Sequence, residues 1–180
     1  MRSPGSFKAT LRERRRPMAS KRHPGSPRVA VCGRDPPHSE LIGVSDAYDE
    51  LYVYTMSRGR DRFILQHVVD AQAAQTATEQ TKPLGLTFSL VGLYLHVERG
   101  FSGRRVQEVH MELARTKRPW PSIALPADRG SLTPADVLAV PPGADRDAAI
   151  DGWCASVWAT YQAARPQIIE LLRAARIAGA

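Results

Sequence analysis

Three histidines and one aspartate in the middle of the chain are the residues best suited to chemistry. His67 and Asp70 lie three positions apart in FILQHVVDAQAAQ, residues 63 to 75. On a helix they share one face, where the carboxylate can orient the imidazole. This spacing suits a general acid–base pair, so His67 and Asp70 are the catalytic candidates. No nucleophile motif such as a GxSxG elbow or a CxxC pair accompanies them.

The other two histidines, His96 and His110, lie on separate predicted helices. Helical bundles bring imidazoles from facing helices together, and two or three imidazoles with a carboxylate bind zinc, iron or nickel. The sequence thus offers His67, His96 and His110 as metal ligands and a divalent metal as cofactor. The alternative is that each is a hydrogen-bonded residue at the margin of an apolar face, because no HExxH or ExxH spacing pairs them.

A polar residue beside the pair, Gln66, is predicted to be structural. It lies four positions before Asp70 and therefore flanks the carboxylate on the same helix face. A buried polar group without a partner costs on the order of 1 to 3 kcal/mol, so this face must satisfy its own hydrogen bonds.

Helical signals begin at Ser45 and define the elements that carry these residues. The first helix is capped by Ser45 and ends near Ser57 and Gly59, and the second runs through residues 61 to 80. The third, GLTFSLVGLYLHVER, is apolar on nearly every side and stops at Gly100. Ser102 begins the fourth.

Two further helices are predicted towards the C-terminus. LTPADVLAV has Thr133 as N-cap and Pro134 at the first helical position. A long helix opens at Asp145 or Asp147, and Pro166 kinks or restarts it. A proline-rich crossing loop, residues 119 to 130, precedes both. No segment alternates with a period of two, so the predicted fold is an all-α, single-domain bundle of four or five main helices.

The basic charge is confined to the N-terminus. Residues 1 to 28 hold nine Lys or Arg against one acid, whereas residues 29 to 180 hold sixteen against seventeen. We predict a disordered tail over 1 to 28, a loop over 29 to 44 and a helical domain over 45 to 178. The tail is a nucleic-acid or membrane-surface arm, a solvated segment without a partner, or the product of a start codon placed too early, with Met18 or a later residue as the true start.

The chain is expected to be cytoplasmic and not to enter a membrane. It contains no apolar run of membrane-spanning length and no signal-peptide pattern. Its two cysteines, Cys32 and Cys154, form no disulfide framework. A homo-oligomer is compatible with this composition.

A succession of motifs resembles an uncharacterised bacterial family of helical proteins, a domain of unknown function. The motifs are VVDAQAAQ, TKPLGLTFSLVGLYLHVERGFSG, VQEVHMELAR, a WP loop, LTPADVL and WCASVW, together covering about residues 45 to 172. The resemblance implies a helical fold and assigns no activity. It also implies that Gln75 and Glu98, which match the family pattern, are structural.

Departures from that pattern limit what can be carried over. Members show Tyr where this chain has Gln72, histidines near Thr76 and Ser89, and a CxxCG of which only Cys32 and Gly33 remain. Activity is therefore unknown. The first hypothesis is a small-molecule or metal-dependent enzyme with a site between helices two, three and four. The alternative is a non-catalytic binding or oligomerisation module, and a third is a nucleic-acid accessory protein acting through residues 1 to 28.

Overall fold

The structure, a computed structural model, describes residues 38–59, 64–116 and 118–177, with side chains from residue 46 onwards. It contains seven α-helices and one 3₁₀ turn in the described ranges. These are α1 (His38–Ser57), α2 (Leu65–Gln75), α3 (Pro83–Val97), α4 (Gly103–Ala114), α5 (Pro134–Leu138), α6 (Ala144–Thr160), the 3₁₀ turn (Gln162–Ala164) and α7 (Arg165–Ala174).

The helices form a bundle around α2 and α3. α2 packs against α1, α3, α4 and α6, while α3 also contacts α4, α6 and α7. The core between them includes Leu51, Leu93, Trp153 and Trp158, all at most 2% exposed. No strand occurs in the ranges that the structure describes. The all-α prediction is confirmed.

The turn between α3 and α4 is fixed by two local signals. Gly100 has φ +66°, its N–H donates to the His96 carbonyl, and the Phe101 N–H donates to the Leu95 carbonyl. The bond from Gly100 to His96 is that of the αL type of glycine C-cap. Ser102 follows and accepts a hydrogen bond from the Arg105 N–H as the N-cap of α4. The chain thus reverses within a few residues, directly beside His96.

Helix boundaries differ from the prediction in two places. α1 begins at His38 inside the predicted loop of residues 29 to 44, since a helix tolerates Gly43 at a cost of about 1 kcal/mol. α2 ends at Gln75, five residues before the predicted end. The Thr76 hydroxyl donates to the Gln72 carbonyl, and the Thr81 hydroxyl accepts from the Thr78 N–H in a turn that replaces further helix.

The C-terminal segment is divided as Pro166 suggests. α6 stops at Thr160, and α7 restarts with Pro166 in its first turn, where a missing N–H costs nothing. Thr133 and Asp136 form a capping box at the start of α5. No described helix is long and apolar enough to cross a membrane. The predictions for residues 1 to 28 and for Cys32 fall outside the described residues.

Candidate functional site

His67 and His96 stack face to face where α2 begins and α3 ends. Their ring centroids are 3.6 Å apart and the ring planes differ by 18°. The contact arises because α2 and α3 pack closely, with His67 in the first turn of α2 and His96 in the last turn of α3. The structure therefore brings together two of the three histidines.

His96 is held between two oxygen acceptors. Its Nε2 lies 3.0 Å from Oδ1 of Asp151 on α6, and its Nδ1 lies 3.4 Å from the Phe101 carbonyl oxygen. A carboxylate and a carbonyl can only accept, so each ring nitrogen that carries a proton donates to the oxygen it faces. The two contacts fix the plane of the His96 ring between α6 and the α3–α4 turn.

These residues face an open cavity of about 350 Å³, which we call the histidine cavity. Its lining combines the stacked rings, the α3–α4 turn and Asp151, with one aliphatic side chain. The lining residues are Ile64, His67, His96, Gly100, Phe101, Ser102 and Asp151. The Asp151 side chain is 60% exposed, and its Oδ2 has no hydrogen bond within the described ranges.

His67 forms the buried side of the histidine cavity. The residue is 3% exposed, and its Nδ1 finds no hydrogen-bond partner in the described part of the chain. Burial, and to a smaller extent the neighbouring His96, lower the pKa of His67 from 6.5 to about 3, while Asp151 opposes the shift. His67 is therefore neutral at neutral pH, beside His96 and Asp151.

Asp70, predicted to pair with His67, lies in a different environment. Gln66 Nε2 donates to its Oδ1 at 3.0 Å, and its Oδ2 has no partner among the described residues. Oδ2 packs against α3 at Gly92, where an added Cβ would be 1.9 Å away. Burial raises the pKa of Asp70 well above its usual range, against the effect of the Gln66 hydrogen bond. The described hydrogen bonds do not join Asp70 to His67.

His110 does not share the stack. It lies on α4 with its ring centroid 5.1 Å from that of Phe88, and its Nε2 has no hydrogen-bond partner in the described ranges. Burial lowers the pKa of His110 from 6.5 to about 4, and a hydrogen bond to the Phe88 backbone opposes this. Phe88 in turn contacts the Trp120 ring edge-on.

The metal site proposed from sequence stays a prediction. Within the described ranges, no three His, Cys, Asp or Glu side chains are arranged to hold an ion. An imidazole binds a metal close to its own plane, and two rings stacked 3.6 Å apart share no plane, so His67 or His96 would have to turn. A rise in melting temperature on adding zinc, nickel or iron, lost in His67→Ala and His96→Ala, is the test.

The remaining polar residues of the prediction join distant parts of the bundle. The Gln75 amide donates to the carbonyls of Arg129 and Leu132 and accepts from the Trp153 indole. Glu98 accepts from the Trp158 indole and from Arg165. Each therefore ties its helix to α6, and Glu98 reaches α7 as well.

Asp151 is the site residue that the sequence analysis missed. It lies 55 positions after His96, and no motif links the two. One signal was available: Asp147 and Asp151 are four apart and share one side of α6. Asp147, however, is buried and bound by Arg58 and Tyr54, so only Asp151 points to the histidines.

A larger groove of about 630 Å³ lies elsewhere, between the crossing loop and α7. Its lining is mostly apolar and includes Trp120 between two prolines, together with Pro166, Leu171 and Ala174. It holds no histidine, and its one carboxylate, Glu170, is paired with Arg173 at the exposed surface. The smaller histidine cavity is therefore the better candidate for chemistry.

The fold and the histidine cavity define a helical-bundle domain with a histidine–carboxylate pair at an open site. The chain belongs to a family of unknown function, DUF5946, whose model matches residues 44–162. All seven residues that line the histidine cavity fall inside this match, whereas α7 and its side of the apolar groove lie beyond it. Comparisons with curated proteins and with solved structures return no match.

Proposed function

We propose that the histidine cavity binds a small polar molecule and removes a proton from it, with Asp151 as the base. The observation that supports this is a cavity-lining carboxylate whose Oδ1 contacts His96, whose side chain is 60% exposed, and whose Oδ2 has no hydrogen bond among the described residues. A base acts best when its position is fixed before the substrate arrives. Asp151 is the catalytic residue of the proposal.

His96 and His67 have supporting roles in this proposal. His96 lies between Asp151 Oδ1 and the Phe101 carbonyl, so it fixes the orientation of the carboxylate and is a positioning residue. His67 stacks on the His96 ring and prevents it from turning away. Asp70 has a structural role, because its carboxyl is buried against α3.

The experiment uses nitrobenzisoxazole, a small neutral compound that reports on a positioned base. The base takes the C–H proton, the N–O bond breaks, and a coloured cyanonitrophenolate is released. Because general bases contribute up to about 10²- to 10⁴-fold, we expect the wild type to exceed Asp151→Asn by at least about tenfold. His96→Gln should lower the rate while retaining part of it.

Asp145→Asn is the matched control. Asp145 is an exposed aspartate in the first turn of the same helix and does not line the histidine cavity. Its rate should equal that of the wild type. Equal rates for wild type and Asp151→Asn would remove the proposed base, provided that both variants show the same helical circular dichroism.

Two further attributes of the chain belong to this proposal. We propose a bacterial origin, which rests on the family resemblance. We also propose a cytoplasmic location, which rests on cysteine usage without a disulfide framework.

A non-catalytic binding module is the second candidate, and the apolar groove is the observation that favours it. The indole of Trp120 and the neighbouring prolines present rigid apolar surface, which suits a protein or peptide contact. Ala174→Glu would place a charge at the edge of the groove. Light scattering that shows a wild-type dimer and a monomeric variant would support this module, and monomers in both would count against self-association.

A further inference from the structure

We infer that the ligand of the histidine cavity is a small amine, which binds as its ammonium ion to Asp151. This rests on the proposed function and adds the chemical class of the ligand. Asp151 lines the cavity, its Oδ2 has no hydrogen bond among the described residues, and a carboxylate oxygen can only accept hydrogen bonds. A ligand group that meets it must therefore donate.

The charges around the histidine cavity favour a cation over an anion. The Asp151 carboxylate is far more exposed than the His96 imidazole, with 60% of the side chain accessible against 17%. His67 is neutral, so it offers no charge to an incoming anion. The C-terminal end of α3, whose carbonyl dipoles attract cations, also lies at the cavity through His96 and Gly100.

The start of α4 is the feature that would favour an anion, and its donors are partly occupied. The Ser102 hydroxyl oxygen accepts from the Arg105 N–H, and the Val106 N–H already donates to the Ser102 carbonyl. An anion there would also meet the Asp151 carboxylate. Phosphate therefore serves as the competing class in the experiment.

The size and walls of the histidine cavity limit the rest of the ligand. A volume of about 350 Å³ is at the lower end of the range of small-molecule sites. Ile64 and Phe101 supply apolar surface beside the polar group. These walls suit a short hydrocarbon chain that carries a single ammonium group.

The experiment follows the imidazole Hε1 signals of His67 and His96 by NMR, with His110 as the internal control. The probes are butylamine, butanol, butyrate and inorganic phosphate at constant pH and ionic strength. We expect butylamine to shift both cavity histidines saturably and butanol to bind at least about fivefold more weakly. Butyrate and phosphate should not shift either signal.

In Asp151→Asn, butylamine should lose its preference over butanol, whereas Asp145→Asn should retain it. Tighter binding of butyrate or phosphate than of butylamine would overturn the ligand class and leave the site in place. If no probe shifted the signals of His67 and His96, both the ligand class and the binding site would be wrong. If amine binding occurred as expected but the wild type turned over nitrobenzisoxazole no faster than Asp151→Asn, the catalytic base would be wrong and the ligand class would stand.

Discussion

His67 and Asp70 are one turn apart on α2, but one lines an open cavity and the other is enclosed in a helix crossing. His67 stacks on His96 beside Asp151, where a ligand can enter. Asp70 packs against Gly92 of α3 and lines neither the histidine cavity nor the apolar groove. The helix spacing that made them appear to be one catalytic pair places them in two different environments. A shared helix face does not make a shared site.

The largest expected effect on stability comes from Gly92→Ala, at the crossing that encloses Asp70. The new Cβ would lie 1.9 Å from Asp70 Oδ2, so α2 and α3 would have to separate. We expect the free energy of unfolding to fall by about 3 kcal/mol in urea denaturation. Gly85→Ala on the same helix is the control, because an added Cβ there meets nothing within 4 Å.

A double variant tests whether Asp70 is the cause. Asp70→Ala removes the clashing oxygen, so the loss from Gly92→Ala should be much smaller in that background than in the wild type. Additive losses would show that the crossing does not depend on this contact.

Acid should weaken the protein through His67. Its pKa is lowered to about 3 in the folded chain and is about 6.5 unfolded, so the unfolded state binds the proton first as pH falls. The free energy of unfolding is therefore unaffected above pH 6.5 and decreases between pH 6.5 and pH 3. At pH 5 it is lower by about 2 kcal/mol. Denaturation of His67→Gln at pH 7 and pH 5 should lack this loss.

His110 supplies an independent comparison for that experiment. Its pKa is lowered to about 4, so it also destabilises the wild type below pH 6.5. His110→Gln should remove the part of the acid destabilisation that comes from His110 and leave the part that comes from His67. A His67→Gln protein with the full acid loss of the wild type would contradict the burial of His67.

A rise in pH, and not a fall, should destabilise the folded protein through Asp70. Burial raises its pKa in the folded chain, so the folded state keeps the proton to higher pH than the unfolded state. This stabilisation is complete below about pH 4 and is lost as pH rises. The free energy of unfolding of Asp70→Asn should lack this loss. Relative to the wild type, it should be at least about 1 kcal/mol more favourable at pH 8 than at pH 4. Wild-type and variant stabilities that change in parallel with pH would contradict this.

The smallest effect on stability should come from Asp151→Asn. The carboxylate is 60% exposed, and exposed ion pairs contribute at most about 1 kcal/mol. We expect a change within that limit in urea denaturation. If Asp151→Asn also loses nitrobenzisoxazole turnover, the small change in stability shows that the loss of activity does not come from unfolding. A loss comparable to that of Gly92→Ala would make Asp151 a structural residue.

The parts of the fold that depend on local signals could be predicted. Gly100 as a C-cap, Ser102 as an N-cap and the box of Thr133 with Asp136 each follow from a few adjacent residues. The start of α1 could not, because Gly43 and the residues before it carry turn signals. Local propensity gave the right fold class and some wrong boundaries.

The site was predicted in part because its members are distant in sequence. His67 and His96 were both candidates, but their stacking depends on how α2 crosses α3. The contact between Asp70 and Gly92 depends on the same crossing and has no local pattern. Asp151 shares no local motif with His96, so only the packing of α6 reveals it.

At the turn around Gly100, a main-chain atom contacts His96, whereas side chains form the walls of the histidine cavity. The second acceptor for His96 is the main-chain oxygen of Phe101, which any residue at that position would supply. The side chains of Ile64 and Phe101 can therefore be exchanged to admit a different ligand, whereas Ser102 caps α4 and holds the turn. The walls of the histidine cavity can thus be redesigned without removing either contact of His96.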